Sequence, residues 1–219
     1  MLVHPELDSV FPFPEEQVCT LVIENQDFFR RFLTDLTEQI SGLDGEAVLS
    51  VQNTPVPLAS FGELIDSYPG FSINRKPLVN KVISRMEREA VTERWLQTAE
   101  LLTGVERLVE DLSDSVPCDL VCGKLSVGSV LRGVGLEIVE EGTDPLERLL
   151  DYMELVREFD REKVYFLVNL RSYYPDETVE LFMQSVLGHG HKVLLIDGMD
   201  HPRLPLERRV TVDKDLCEF

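Results

Sequence analysis

In the first part of the chain, the pattern of apolar positions changes from a continuous run to the spacing of a helix. Residues 19–24, CTLVIE, form a continuous run typical of a strand buried on both faces. Asn25 follows as a helix cap, and apolar residues then recur at helical spacing from Phe29 to Ile40. Residues 46–52 predict another strand. The order β, α, β favours a parallel sheet.

The middle of the chain has a different pattern. From Phe61 to Asp114 it is compatible with helix almost throughout, with breaks at Pro69, Gly70 and Pro77. After Pro117 the alternation of strands and helices resumes. We therefore predict a discontinuous α/β head domain made of residues 1–60 and 126–219, with an α-helical leg domain, residues 61–125, inserted into it.

The last third of the chain predicts further strands and helices of the head. Residues 131–141, LRGVGLEIVEE, predict a helix end followed by a short strand, and Asp144 before Pro145 predicts a helix start. Residues 163–169 predict a buried strand that ends at Asn169, with a helix after it and then the strand KVLLID at 192–197. The fold class is α/β, with a mostly parallel sheet like those of nucleotide-handling proteins.

The charge of the chain restricts its partners. A formal net charge of -19 over 219 residues excludes general affinity for nucleic acid over the whole surface, although a local basic track is compatible with it. The sequence offers neither an apolar run long enough for a membrane span nor a leader segment, so we expect a cytoplasmic protein with no membrane partner.

Nucleotide binding is not expected. A phosphate loop needs GxxxxGK[ST], whereas around Gly123, Lys124 and Ser126 the serine follows the lysine by two positions and Cys118 stands where the first glycine is required. The first strand also has no glycine at its exit. We therefore expect no nucleotide cofactor and no nucleotide turnover.

An acidic site at the strand ends is the main alternative. Glu24, Asp197 and Asp200 would hold magnesium for a nucleotide hydrolase or a nuclease if they converged, but Asn169 stands where another acid would be most useful.

The cysteines and histidines point to no metal or nucleophile. The four cysteines do not have the spacing of a zinc site or a disulfide framework. We expect the four histidines to lie in polar loops, and none has a serine or cysteine partner evident from the sequence. They are His4, His189, His191 and His201.

A basic helix face is the main candidate for binding. Lys81, Arg85 and Arg88 are spaced i, i+4, i+7, which places them within about 60° of arc on a helix, opposite its apolar stripe. Arg75 and Lys76 come just before this helix. The pattern is compatible with a track along a DNA backbone, since phosphate contacts need only cations at regular intervals. It is equally compatible with a solvated face that has Glu87 and Glu89 as counterions.

Seven segments follow one another in a recognisable order: CTLVIENQDFFRRFL, FGELIDSYPGFSIN, LRGVGLEIVEE, DPLERLLDYMELV, KVYFLVNLRSYYPDETVELF, KVLLIDG and RVTVDKDLCEF. Together they extend over nearly the whole chain. Their order resembles the Csn2 family, the small adaptation proteins of type II-A CRISPR systems.

The resemblance implies an NTPase-like head without a phosphate loop and an inserted helical leg. It implies a homotetrameric ring that holds the ends of linear double-stranded DNA during spacer acquisition in antiviral defence, and on this basis we expect a protein that is not an enzyme. The CRISPR integrase complex and the RNA-guided effector nuclease would be its partners, and the five basic residues of the predicted track would face the DNA. A scaffold that binds protein partners but no DNA is a further alternative.

Calcium is a possible cofactor by the same resemblance, but the chain departs from the family at this point. Relatives carry an acidic cluster where the leg returns to the head, whereas this chain has VPCDLVCGKLS there. Asp119 occupies a matching place, with Asp111 and Asp114 upstream as further ligands. Calcium prefers six to eight oxygen ligands, so these three acids would need several carbonyls and waters to complete the set.

Overall fold

The computed structural model describes residues 1–118, 120–121, 123–140, 142 and 144–219. The chain divides into two compact units. The first, which we call the sheet unit, consists of Met1–Ser72 and Gly142–Phe219, and the second, the insertion unit, is Ile73–Glu141.

The sheet unit contains all the strands found in the described residues. They are β1 Leu2–Val3, β2 Val18–Ile23, β3 Val48–Val51, β4 Thr54–Val56, β5 Gly62–Ile65, β6 Val164–Val168, β7 Lys192–Asp197 and β8 Glu207–Val212.

Helices occur in both units, and Leu170–Ser172 forms a 3-10 turn. They are α1 Gln26–Ile40, α2 Leu58–Phe61, α3 Lys76–Thr92, α4 Trp95–Ser113, α5 Val127–Val134, α6 Pro145–Arg157 and α7 Asp176–Gly188.

The main sheet has five strands in the order β5-β6-β7-β2-β8, and every neighbouring pair is parallel. All residues of β2 and β6 are buried, as expected for continuous apolar strands in the middle of a parallel sheet. The α/β fold class predicted from the sequence is confirmed.

The helix starts predicted in the sheet unit are confirmed. Asn25 caps α1, because its side-chain oxygen accepts a hydrogen bond from the Phe28 N–H at 3.0 Å. Asp144 caps α6 by accepting from the Leu146 N–H at 2.7 Å. Each cap fixes the residue at which its helix begins.

The strand predicted at 46–52 is present as β3, but it does not belong to the parallel sheet. It pairs antiparallel with β1 and β4 in a separate three-stranded sheet. The prediction from the β, α, β order was wrong here, because Asn53, with φ 62°, turns the chain directly into β4.

The predicted boundaries of the insertion also differ from the compact units. Residues 62–65 were expected to be helical, but they form β5 and pair in parallel with Val164–Leu167 of β6. At the other end, α5 packs against α3 within the insertion unit instead of belonging to the head.

The short strand predicted within 136–140 is absent from these described residues. The backbone of Ile138 instead exchanges hydrogen bonds with the side-chain amide of Asn74, at 2.6 Å and 3.0 Å. Since the amide group takes the place of a neighbouring strand, this segment remains irregular.

Candidate functional site

Helix α3 carries the predicted basic face. Pro77 lies in its first turn, and Leu78 and Ile83 are its buried residues. Arg85 and Arg88 are exposed, and Lys81 is half-buried. The helix therefore presents at least two of the three cations to solvent on one side.

The two glutamates considered as counterions pair with other arginines. Glu87 lies 3.7 Å from Arg132 on α5, and Glu89 lies 3.2 Å from Arg94 at the end of α3. Among the described residues Arg88 has no ion pair, whereas Lys81 and Arg85 both make interactions within the chain.

Two further basic residues of the predicted track lie at the start of α3. Arg75 is the residue before the helix, is half-buried and makes interactions of its own. Lys76 is exposed at the first helical position. The positive end of the helix dipole also lies at the start of α3. The five predicted basic residues and this helix terminus therefore all carry positive charge.

Helix α4 is different, because none of its residues is buried. Leu101, Leu108 and Leu112 share one side of the helix and are 49–57% exposed. Trp95 at its first position is 59% exposed. We call the three leucines the α4 leucine edge.

The predicted calcium ligands are only partly described. Asp111 and Asp114 are exposed at the end of α4, and Asp119 lies outside the described residues. Within the described ranges, neither Asp111 nor Asp114 belongs to a group of three converging acidic, cysteine or histidine side chains.

The carboxyl edge of the main sheet has no room for a phosphate loop where β2 passes into α1. Only Glu24 and Asn25 separate the strand from the helix. Asn25 fills the helix N-terminus with its own oxygen, and its Nδ2 donates to the Lys214 carbonyl at 2.9 Å. The helix end that would receive a phosphate is therefore already capped.

The residues that resemble a phosphate loop lie elsewhere. Gly123 and Lys124 are exposed and irregular, and Ser126 begins α5 by accepting a hydrogen bond from the Ser129 N–H at 3.1 Å. This segment belongs to the insertion unit, in which the described residues include no strand.

The acids proposed for a magnesium site do not form a group of three converging ligands within the described ranges. Asp197 is buried at the end of β7, and neither of its oxygens has a hydrogen-bond partner in the described part of the chain. Burial raises the pKa of Asp197 to about 7, although Arg171 opposes this shift. Asp200 is bound to Arg209 at 2.6 Å.

Asn169 has a structural role beside Asp197. It adopts the left-handed conformation at the end of β6, with φ 52°. Its side-chain oxygen accepts a hydrogen bond from the Gly198 N–H at 2.9 Å, and its own N–H donates to the Ile196 carbonyl at 2.8 Å. The amide thus ties the ends of β6 and β7 together.

Two groups of possible metal ligands occur among the described residues, and the sequence predicted neither. One consists of His4, Glu6 and Glu46, and the other of Glu154, His189 and His191. His4 was expected in a polar loop but is buried, and its Nδ1 already accepts a hydrogen bond from the Glu6 N–H at 3.2 Å.

The second group has a weak signal in the sequence, two histidines on either side of Gly190. Its third member, Glu154, lies on α6, 35 positions before His189 along the chain, so spacing could not have identified it. Burial lowers the pKa of His191, and the neighbouring Glu154 opposes that shift.

A comparison with protein families matches residues 39–216 to the model of the CRISPR-associated protein Csn2. This range covers most of the parallel sheet and the whole insertion unit, and the chain belongs to this family. The search of curated proteins gave no match. Among the described residues, no helix is both long and apolar enough to cross a membrane.

Proposed function

We propose that the protein is a non-enzymatic ring that binds the ends of double-stranded DNA during CRISPR spacer acquisition. Membership of the Csn2 family supports the link to CRISPR. The observation that carries the DNA-binding part is the basic face of α3, because it gathers Lys81, Arg85 and Arg88 on one side of a helix in a chain of net charge -19.

The length of this face suits a phosphate backbone. Arg88 lies seven positions after Lys81, which corresponds to about 10 Å along a helix axis. Phosphates on one strand of B-DNA repeat about every 3.4 Å along the duplex axis, so the face spans about three phosphates. Contacts of this kind position the duplex without reading its sequence.

Assembly into a homotetramer is the second part of the proposal. The α4 leucine edge and Trp95 expose apolar area that monomeric proteins usually bury, which favours association with further copies of the chain. Four copies would bring four basic faces together and leave acidic residues to cover the rest of the surface.

The proposal assigns no nucleotide chemistry to the sheet. The two-residue link between β2 and α1 and the cap by Asn25 support this assignment. Asp197 is the specific observation in favour of the alternative, a nucleotide hydrolase or metal-dependent nuclease, because its oxygens lack hydrogen-bond partners among the described residues.

Calcium and the protein partners complete the proposal. Asp111, Asp114 and Asp119 are the acids that would bind calcium, with backbone carbonyls and water supplying further oxygens. The CRISPR integrase complex and the effector nuclease are the partners that the family suggests.

The test is a competition between linear duplex and a closed circle of the same sequence, measured by gel shift. The wild type is expected to bind the linear duplex and largely to ignore the circle, because a closed ring of protein admits DNA through an end. Equal competition by the circle would reject end binding, and no binding of either form would favour the scaffold alternative.

Two charge reversals locate the track. Arg88→Glu and Arg85→Glu are expected to weaken binding strongly and to reduce the slope of log K against log salt, by about 0.9 for each phosphate that is no longer neutralised. Arg107→Glu is the matched control, because Arg107 is an exposed arginine on α4. If all three variants bind like the wild type, the track lies elsewhere.

Calorimetry with ATP and magnesium distinguishes the proposed function from the nucleotide-hydrolase alternative. No heat of binding and no phosphate release are expected. Binding that Asp197→Asn abolishes would instead favour the hydrolase alternative.

A further inference from the structure

Three side chains in the sheet unit converge at a place that the proposed function does not use. Glu154 lies on the last turns of α6, His189 is the C-cap of α7, and His191 directly precedes β7. Together they provide one carboxylate and two imidazoles, and their three ligand atoms all lie within 4.8 Å of one another.

The backbone between the histidines holds this arrangement. Gly190 adopts a left-handed conformation, with φ 69°, which a residue with a Cβ rarely adopts. The N–H of His189 donates to the Ser185 carbonyl at 3.0 Å, and the N–H of His191 donates to the Val186 carbonyl at 2.9 Å. Both histidines are therefore fixed to the end of α7.

The distances fit ligands of a common ion better than they fit hydrogen bonds. Glu154 Oε1 lies 3.4 Å from His189 Nδ1 and 3.6 Å from His191 Nε2. Ligands about 2.1 Å from a tetrahedral zinc ion are separated from each other by about 3.4 Å. A hydrogen bond between the same atoms would be closer to about 2.8 Å.

Two of the three ligand atoms lack another partner. Glu154 Oε1 and His191 Nε2 are buried, and neither has a hydrogen-bond partner in the described part of the chain. The His191 side chain is only 3% exposed and lies edge-on to the Tyr165 ring. Buried polar atoms are normally satisfied, so a bound ion would account for both.

The outer side of the group is open. The His189 side chain is 52% exposed, and a cavity of about 490 Å³ lies beside it, lined in part by Glu15, Arg157 and both histidines. This leaves access for the ion and a position for a water molecule as fourth ligand.

Charged side chains near the three ligands both favour and oppose the binding of a cation. Arg157 donates a hydrogen bond to the His189 carbonyl, which stabilises the turn, but its positive charge opposes a cation. Glu154 supplies the negative charge that faces the ion.

We propose that Glu154, His189 and His191 bind a divalent transition-metal ion of the zinc class, with a water molecule completing the coordination. Two imidazoles and one carboxylate suit zinc, cobalt or nickel and do not suit calcium or magnesium, which prefer oxygen ligands. The ion joins α6 to the turn between α7 and β7, so it stabilises the sheet unit.

The test uses the full chain after treatment with a chelator and titration with Zn²⁺ alone by calorimetry. One ion per chain is expected, and the wild type should unfold at a higher temperature with Zn²⁺ than without it. Co²⁺ should give the visible absorption of a tetrahedral site without the intense near-ultraviolet band of thiolate ligands, which would instead indicate the cysteines.

His189→Ala and Glu154→Gln are the informative variants. His189 is exposed, so its loss removes a ligand without leaving a cavity in the core, and glutamine keeps the shape of Glu154. Each should weaken Zn²⁺ binding at least about tenfold and remove the thermal shift. His201→Ala is the matched control and should bind like the wild type.

Absence of stoichiometric binding to the wild type would overturn the proposal. Binding that survives in both His189→Ala and Glu154→Gln would also overturn it, since the ion would then be held elsewhere.

Discussion

The sheet unit and the insertion unit bury apolar residues to very different extents. In the sheet unit, β2 and β6 are buried along their whole length, and β7 is buried except at its first residue. In the insertion unit, α3 buries only Leu78 and Ile83, and α4 buries no residue. The sheet unit thus has a core of its own, whereas the apolar residues of α4 remain available for contact with other chains.

This contrast predicts that stability resides mainly in the sheet unit. Phe166 on β6 is fully buried, so Phe166→Ala should lower the free energy of unfolding by about 3–5 kcal/mol. Leu108→Ala, at a position 57% exposed, should cost less than about 0.5 kcal/mol at protein concentrations low enough to disfavour association. Denaturant unfolding of both variants measures this difference. Equal losses of unfolding free energy would show that stability does not reside mainly in the sheet unit.

The next largest effect concerns the buried acid of the sheet unit. The pKa of Asp197 is raised to about 7, so the folded state binds a proton that the unfolded state releases above about pH 4. Its contribution to stability is fully present below about pH 4, and it is lost as the pH rises from there through 7.

Asp197→Asn should therefore stabilise the protein at pH 8, by up to about 4 kcal/mol for a shift of about three pKa units, and should have little effect at pH 4. Thermal unfolding at both pH values tests this. Asp200→Asn is the control, because Asp200 is exposed and ion-paired with Arg209. A stabilisation that does not depend on pH would contradict the assignment.

The α4 leucine edge should control assembly and not folding. Leu108→Glu introduces a charge into this edge and is expected to reduce the mass seen by light scattering from about four chains towards one. Thr103→Glu adds the same charge to an exposed position on another side of α4 and should leave the mass unchanged. A wild type that is already monomeric at micromolar concentration would refute the ring.

The smallest effects concern the helix caps, one in each unit. Asn25→Ala removes the cap of α1 and the bond to the Lys214 carbonyl, and should cost about 1–2 kcal/mol. Ser126→Ala removes the cap of α5 and should cost about 1 kcal/mol or less. If Ser126→Ala lowers the free energy of unfolding more than Asn25→Ala in denaturant unfolding, the insertion unit contributes more to global stability than its burial indicates.

The elements that could be predicted from the sequence are those with local signals. The buried strands β2, β6 and β7 are continuous apolar runs, and the caps Asn25 and Asp144 directly precede their helices. Each of these signals depends on residues close together in the chain.

Strand β5 was missed because its conformation depends on residues distant in the sequence. Space at Gly62 is limited, because an added Cβ would lie 2.9 Å from the Leu58 side chain and 3.1 Å from that of Phe166, which is far away along the chain. The sequence of residues 46–52 likewise predicts a strand, β3, but does not indicate which sheet that strand will join.

The candidate sites also divide into those with a local sequence signal and those formed only by the folded chain. The basic face of α3 could be predicted because helical spacing alone places its cations together. The group of Glu154, His189 and His191 could not, because the end of α7 and the last turns of α6 meet only in the folded chain. Asn169 was recognised as unusual, but its hydrogen bond to Gly198 required the structure.

The link between β2 and α1 also limits how this fold can evolve. A phosphate-loop motif spans eight positions, whereas here two residues connect the strand to the helix. Point substitutions alone cannot supply the missing backbone N–H groups, because the chain between Ile23 and Gln26 is too short to encircle a phosphate. Gaining a phosphate loop at this position would require an insertion of several residues together with loss of the Asn25 cap, which substitutions at existing positions cannot provide.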